Sequence, residues 1–197
     1  MSTLWLAVAT AVLAVVAFGW AWTAQRLNSA RAALDVARMC PTTGLLNRGA
    51  WELAAQAEVQ RYPESTVLLL DVDELKDVND RAGHAAGDQL LHTTADRLQR
   101  HWPDAVVGRY GGDEFAAVLP GRLPRPGELA RLRKHLDAPV RWIGTDEIPA
   151  GAAVGVAVAG RHGLQSALGD ADADMYRDKQ RRRRTGREQD SRISRCG

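Results

Sequence analysis

The chain of 197 residues has few cysteines, little net charge and no internal repeats, and each of these features bears on the class of protein. It has only two cysteines, Cys40 and Cys196, which argues against a disulfide framework and fits a reducing compartment. Its formal net charge is +2, which is too small to indicate a nucleic acid as partner. It also lacks internal repeats and long low-complexity segments, and its length allows one globular domain with a modest appendage.

Charge is absent from one long run at the N-terminus, residues 4–22. At about 1.5 Å per helical residue, this run is just long enough to cross a hydrocarbon core of about 30 Å. A cleaved signal peptide is the alternative, but the run lacks a basic start and exceeds the usual apolar length. We therefore predict a transmembrane helix over 4–22. Arg26, Arg31 and Arg38 follow it, so the positive-inside rule predicts a single pass through the cytoplasmic (inner) membrane, with the remaining chain in the cytoplasm.

Residues 23–39 favour a linker helix. Leu27, Ala30, Leu34 and Ala37 have the spacing of a short coiled coil, although a monomeric linker helix remains the alternative. Pro41 ends this helix, because the residue before a proline avoids the α region. At the other end of the chain, the basic run 181–184 leads into a tail, 185–197, that is predicted to be disordered.

The rest of the chain alternates helical and strand patterns, which predicts a sheet covered by helices. A hairpin is predicted at Gly111 and Gly112, because both glycines can adopt positive φ. The same two glycines leave the backbone of the turn free to approach a phosphate. Helices are predicted over 51–61, 88–99, 128–136 and 164–182, and further strands over 65–72 and 152–159.

Acidic residues stand at two predicted strand ends. Asp71 and Asp73 follow a buried strand, and Asp113 and Glu114 follow the glycine turn. If the strands are neighbours, these carboxylates converge at one edge of the sheet. Carboxylates in that position either raise their pKa values or bind a cation, and an all-oxygen cluster suits Mg²⁺.

Between the acidic pairs lies a polar segment, residues 75–91. Gly83 and Gly87 interrupt any helix there. An ordinary polar loop followed by a helix capped by Asp88 is one interpretation of this segment, and a nucleotide-binding segment is the other. Its polar side chains include Lys76, Asn79, Asp80, His84 and Asp88.

Several sequence blocks stand out along the chain: TTGLLNR (42–48), LLLDVDELKDVND (68–80), GHAAGD (83–88), RYGGDEF (109–115), VGVA (154–157) and ADADMYRDKQ (171–180). In these blocks and in their order, the sequence resembles the catalytic domain of GGDEF-type diguanylate cyclases. The resemblance implies a domain over 40–184 and an α/β fold of the α+β palm-like kind, with a mostly antiparallel central sheet flanked by helices. It implies that two GTP molecules are joined into cyclic di-GMP with release of pyrophosphate.

The resemblance also implies the chemistry of the acids. Asp71, the backbone carbonyl of Val72, Asp113 and Glu114 would hold two Mg²⁺ or Mn²⁺ ions per active half-site, which suits in-line phosphoryl displacement. Asp113 would be catalytic near the attacking 3′-hydroxyl. Lys76 would offset the charge that develops on the triphosphate.

Substrate-binding roles follow from the same resemblance. Asn79 and Asp88 would read guanine, whose N1–H and 2-amino group adenine cannot offer. His84 would line this pocket or only cap the preceding turn, and Lys179 and Arg183, one helical turn apart, would hold the outer phosphates. The complete substrate-binding set is Asn79, His84, Asp88, Gly111, Gly112, Lys179 and Arg183.

The sequence departs from the family pattern at several positions. Cys40 and Thr42 replace an Asp and a Leu at the start of the domain, and Arg182 stands where glycine is typical. Trp102 and Ala105 occupy the Arg and Asp positions of the family's product-inhibition motif. We therefore expect no product-inhibition site.

These observations predict a membrane-anchored diguanylate cyclase. Each domain holds one GTP, so catalysis requires a homodimer in which two domains face each other. The first alternative is a catalytically inactive domain that binds GTP or a protein partner. A cyclase with another product and a tethered interaction module are further alternatives, which the guanine-reading pair and the clustered acids disfavour.

Overall fold

The computed structural model describes residues 2–143 and 147–193 and divides the chain into two units, Met1–Arg38 and Met39–Gly197. The first unit is one helix, α1 (Ser2–Arg38), which includes the predicted linker. Leu27 and Leu34 of the linker are more than half exposed on it, at 54% and 61%.

The predicted transmembrane helix over 4–22 is wrong. Within residues 2–143 and 147–193, no helix has the combination of length and apolar character that a membrane crossing requires. Helix α1 does not stop at Trp22 but continues without a break through a polar half that carries Arg26 and Arg31. The predicted location in the cytoplasmic membrane rested on this transmembrane helix and is therefore wrong as well.

Within its described residues, the second unit contains seven strands and five α-helices, so it has more strands than the sequence patterns predict. Its elements follow in chain order: β1 (Leu46–Asn47), α2 (Arg48–Arg61), β2 (Thr66–Val72), α3 (Leu75–Ala82), α4 (His84–His101), β3 (Val106–Arg109), β4 (Glu114–Leu119), α5 (Glu128–Leu136), β5 (Val140–Arg141), β6 (Glu147–Ile148), β7 (Ala152–Val158) and α6 (Gly163–Ile193).

The main sheet has five strands in the order β1-β3-β4-β2-β7, and every neighbouring pair except β1 and β3 is antiparallel. The predicted central, mostly antiparallel sheet flanked by helices is therefore confirmed. Strand β2 is buried along its whole length, since Leu68 and Leu70 pack towards α4 and α5 while Val67 and Leu69 pack towards α2 and α6. A central strand covered on both faces reads as a continuous apolar run rather than an alternating one.

The polar segment 75–91 is helical and not a loop. Gly83 separates α3 from α4, but Gly87 lies buried inside α4. A Cβ atom at Gly87 would collide with the side chain of Asn79 on α3. The glycine is required by the close approach of the two helices, which outweighs its poor helix propensity.

The last helix extends further than the sequence predicts. Its buried positions, Leu164, Leu168, Ala171 and Met175, are those expected from periodicity. However, α6 continues to Ile193, beyond residue 184 where the domain is predicted to end. Residues 194–197, which include Cys196, lie outside the described part of the chain.

Side chains of the flanking helices satisfy the backbone of edge strand β7. The Val154 N–H donates to Asp178 Oδ2 (2.9 Å) and the Val156 N–H donates to Asp174 Oδ2 (3.1 Å). On the same strand, the Val154 carbonyl accepts from Arg133 Nη2 of α5 (3.2 Å). An edge strand whose outward groups are bonded in this way is not available to pair with another chain.

Replacing Asp178 by alanine is expected to lower the free energy of unfolding by about 2 kcal/mol near neutral pH, because the buried Val154 N–H loses its acceptor. Burial raises the pKa of Asp178, but the Val154 N–H, Arg181 and Arg133 lower it overall. The stabilisation is therefore present above the unfolded-state pKa of about 4 and is lost as the pH falls through the lower folded-state pKa. Urea unfolding from pH 7 to pH 2 measures both effects.

The matched control is Asp170→Ala, on the exposed face of the same helix. We expect this variant to unfold within about 0.5 kcal/mol of the unmodified protein at every pH. Equal losses for the two variants would contradict the role assigned to Asp178.

Candidate active site

The two acidic strand ends meet at one edge of the main sheet. In the antiparallel register of β2 and β4, Asp71 lies opposite Glu114. One residue further along, the Val72 N–H donates to the backbone carbonyl of Asp113 (2.9 Å). Strand pairing therefore brings three carboxylates to one place from two distant parts of the sequence.

These carboxylates affect one another electrostatically. Burial raises the pKa of Glu114, and the nearby charges of Asp113, Asp71 and Asp172 raise it further, against a smaller opposing effect of Arg48. Asp71 has a cationic neighbour, since Lys179 Nζ of α6 lies 2.7 Å from its Oδ1. Negative charge is thus concentrated on the side of the site that carries Glu114.

The donor set fits a hard divalent cation. Asp71, Asp113 and Glu114 supply only carboxylate oxygens, which Mg²⁺ and Mn²⁺ prefer over nitrogen or sulfur ligands. Among the residues that the structure describes, however, no three His, Cys, Asp or Glu side chains form a ready-made metal cage. A Mg²⁺ site with few protein ligands is completed by water and substrate phosphates, so an open arrangement is compatible with this ion.

The predicted hairpin is present, but the reason for its glycines differs from the prediction. The N–H groups of Tyr110 and Gly111 both donate to the Glu114 carbonyl, at 2.8 and 3.2 Å. Gly111 and Gly112 do not adopt positive φ. A Cβ atom at Gly111 would instead lie 2.5 Å from Glu114 Oε2, so the absence of a side chain makes room for that carboxylate.

The proposed guanine-reading residues lie on α3 and α4, which pack against each other. Asn79 is half-buried, and its Oδ1 is buried without a hydrogen-bond partner among the described residues. Asp88 follows Gly87 on α4 and is exposed. His84, at the start of α4, and Lys76, on α3, are exposed as well. The Asn79 oxygen is thus a buried acceptor whose hydrogen bond the described residues do not supply.

On α6, the basic residues do not all lie where the sequence predicts. Lys179 contacts Asp71, whereas Arg183 is exposed. Arg182, to which the sequence assigns no role, donates from Nε to Asp73 Oδ2 (2.8 Å) and from Nη2 to Asp137 Oδ1 (2.6 Å). The only sequence feature that could have indicated a role for Arg182 is that it stands where the family pattern has glycine.

Two cavities differ in their relation to this edge of the sheet. One of about 180 Å³ borders Glu114 and is also lined by Tyr110 and Asp172. A larger one of about 530 Å³ lies along α4 and α5, and none of its lining residues is a predicted site residue. Cavity size alone would therefore indicate a part of the domain other than the acidic strand ends.

Comparisons with known proteins agree with the fold and the motif. The family model described as diguanylate cyclase, GGDEF domain, matches residues 37–185. An uncharacterized 19.3 kDa protein of Streptomyces ambofaciens is 38% identical over 185 residues, covering 90% of this chain and 96% of that protein. Diguanylate cyclase TpbB of Pseudomonas aeruginosa is 32% identical over 152 residues, covering 72% of this chain and 35% of TpbB.

A solved structure is similar as well. A sensory box/GGDEF family protein from Caulobacter crescentus is 35% identical with a TM-score of 0.65, and the match covers 73% of this chain and 98% of that one. The chain thus spans nearly all of the Streptomyces relative but about a third of TpbB.

Proposed function

Because the chain belongs to the GGDEF domain family of diguanylate cyclases, we propose that it condenses two GTP molecules into cyclic di-GMP and releases pyrophosphate. This makes it an enzyme of the nucleotidyltransferase type, like the relatives named for that activity. The observation that carries the proposal is the register that sets Asp71 opposite Glu114, with Asp113 bonded to Val72 beside them.

The proposed metal ligands are Asp71, the Val72 carbonyl, Asp113 and Glu114, which would hold two Mg²⁺ or Mn²⁺ ions. When bound, such ions neutralise phosphate charge and favour deprotonation of the attacking hydroxyl. Burial is the largest cause of the raised pKa of Glu114, and the nearby charges of Asp113 and Asp71, which raise it further, support this assignment. Lys179 would exchange part of its contact with Asp71 for a contact with substrate phosphate.

The remaining roles belong to the chain's own side chains. Asp113 is proposed to orient the 3′-hydroxyl and accept its hydrogen bond, and Lys76 to offset charge on the triphosphate. Gly111 and Gly112 let the phosphates approach the backbone of the turn. Arg183 would join Lys179 at the outer phosphates.

Guanine selection is proposed for Asn79 and Asp88, with His84 at the edge of the same pocket. The buried Asn79 Oδ1 supports this, since it needs a donor that the described residues do not provide. The Asp88 carboxylate would accept from N1–H and from the 2-amino group, which distinguishes guanine from adenine.

Each domain would hold one GTP, so the active form is proposed to be a homodimer with two sites face to face. Leu27 and Leu34, exposed on α1, are available to pair with a second copy of the chain.

The test is to incubate the purified protein with GTP and either Mg²⁺ or Mn²⁺ and to identify the product by mass spectrometry. Cyclic di-GMP that depends on the cation and on Asp113 would support the proposal. GTP binding without any product would instead indicate a catalytically inactive domain.

Cyclic di-GMP is expected not to inhibit its own synthesis by this protein. The family's inhibitory Arg and Asp positions are Trp102, which is buried, and Ala105. The nearby Arg100 is paired with Asp96 on α4. Initial rates at increasing product concentration measure the effect, and submicromolar inhibition that Arg100→Ala removes would contradict it.

A further inference from the structure

Arg109 links the start of the domain to the glycine turn. Its Nη2 donates to the Gly112 carbonyl at 2.6 Å, and its Nη1 donates to the Cys40 sulfur at 3.4 Å. The two contacts lie 69 and 3 residues away in sequence from Arg109. One guanidinium thus connects Cys40 with the turn that carries Asp113.

Cys40 is buried in this position, and both of its backbone polar groups are hydrogen-bonded. It is 8% exposed, its N–H donates to the Leu45 carbonyl (2.7 Å), and its carbonyl accepts from the Gly44 N–H (2.8 Å). The sulfur therefore has little freedom to move away from Arg109. Arg109 in turn has a buried Nε with no hydrogen-bond partner among the described residues, so few groups other than Cys40 and Gly112 fix its orientation.

The surroundings of the sulfur favour its charged form. Burial raises the pKa of the Cys40 thiol, but hydrogen bonds from the Thr43 side chain, Arg109 and the Thr43 and Thr42 backbone lower it overall, to about 7. Arg109, from β3, is the charged group that faces the sulfur, and the two threonines precede β1. A thiolate accepts a stronger hydrogen bond from a guanidinium than a neutral thiol does.

We propose that Cys40 is a positioning residue for the reaction: as a thiolate it holds Arg109 on the Gly112 carbonyl and thereby fixes the turn that presents Asp113 and Glu114. The role rests on the proposed function, because it acts on the geometry of that site. Cys40 itself does not contact the predicted ligands. Its protonation would release one of the two anchors of Arg109, and the turn would become less ordered without loss of the fold.

The first experiment compares pH profiles of kcat and KM for GTP in the unmodified protein, Cys40→Asp and Cys40→Ser. Between about pH 8 and pH 6, kcat of the unmodified protein is expected to fall at least about threefold more than that of Cys40→Asp, whose carboxylate stays charged. Cys40→Ser is expected to show the low kcat at both pH values, and KM is expected to change less than about twofold. Superimposable profiles for all three proteins would overturn the proposal.

Thermal melting of the same variants shows whether each one is folded, which distinguishes a loss of positioning from a loss of folding. If Cys40→Asp or Cys40→Ser does not fold, the second experiment decides, because it uses the unmodified Cys40. It follows the ultraviolet absorbance of the thiolate during a pH titration, with Cys196→Ser present throughout so that only Cys40 contributes.

In that titration the midpoint is expected near 7, because burial raises the pKa of the Cys40 thiol but its hydrogen bonds lower it overall, to about 7. Adding Arg109→Gln is expected to move the midpoint towards the ordinary cysteine value of about 8.5. An unchanged midpoint would overturn the pairing of Cys40 with Arg109. This readout needs no turnover, so a failure of the proposed cyclase activity is distinguished from a failure of the pairing.

Discussion

Asp113→Asn is expected to reduce kcat for cyclic di-GMP synthesis by at least about a thousandfold. The substitution keeps the size of the side chain and removes its charge. It also leaves the backbone bond between the Asp113 carbonyl and the Val72 N–H in place, so the turn should keep its position. The loss therefore reports on the proposed metal ligand and hydrogen-bond acceptor rather than on the fold.

Burial is the main cause of the raised pKa of Glu114, and removing the Asp113 charge should relieve part of the repulsion that raises it further. The variant is therefore expected to melt at the same temperature as the unmodified protein or slightly above it when no divalent cation is added. Initial rates of product formation and thermal melting measure the two effects on one sample.

Asp172→Asn is the matched control. Asp172 is exposed on α6 and adds to the negative potential at Glu114, but it is not a proposed ligand. Its activity is expected to stay within about threefold of the unmodified protein. Equal activity losses for Asp113→Asn and Asp172→Asn would indicate a general effect of charge and would remove the specific role of Asp113.

Asp88→Asn is expected to lower kcat/KM for GTP by about a hundredfold while changing the small activity with ATP much less. The carboxylate is proposed to accept two hydrogen bonds from guanine, and an amide can accept only from one side. Inosine triphosphate, which lacks the 2-amino group, should lose less than GTP. Competition between the nucleotides for product formation measures the change in selectivity directly.

The control here is Asp80→Asn, an exposed acid on α3 with no proposed contact to the base. We expect it to leave the preference for GTP over ATP unchanged. If Asp88→Asn also keeps that preference, the base is read elsewhere, and Asn79 would be the next residue to replace.

Some features were accessible from local sequence because they depend on short-range periodicity. The apolar run of β2 and the buried positions of α6 follow from the spacing of residues within each element. The helix over 88–99, most of α4, was predicted, but α3 and the start of α4 up to Gly87 were not accessible in this way. Glycine disfavours a helix, so Gly87 argues locally against one. The reason for a glycine at this position is the close approach of Asn79 from the neighbouring helix.

At the N-terminal run, by contrast, the sequence pattern predicted a membrane-spanning segment that is not found among the described residues. A window of nineteen uncharged residues predicted a separate membrane segment, but the helix that contains it continues to Arg38. Local composition describes the window, whereas the extent of a helix also depends on the residues that follow.

By itself, the sequence determined which acids stand at strand ends, because Asp71 and Asp73 end one apolar run while Asp113 and Glu114 begin another, and both patterns are local. Only the tertiary structure decided that β2 and β4 are antiparallel neighbours, that Arg182 binds Asp73 and Asp137, and that Arg109 joins Cys40 to Gly112. Except for the contact between Arg109 and Gly112, these contacts join residues far apart in the chain. Their geometry depends on strand register and helix packing, which no local pattern specifies.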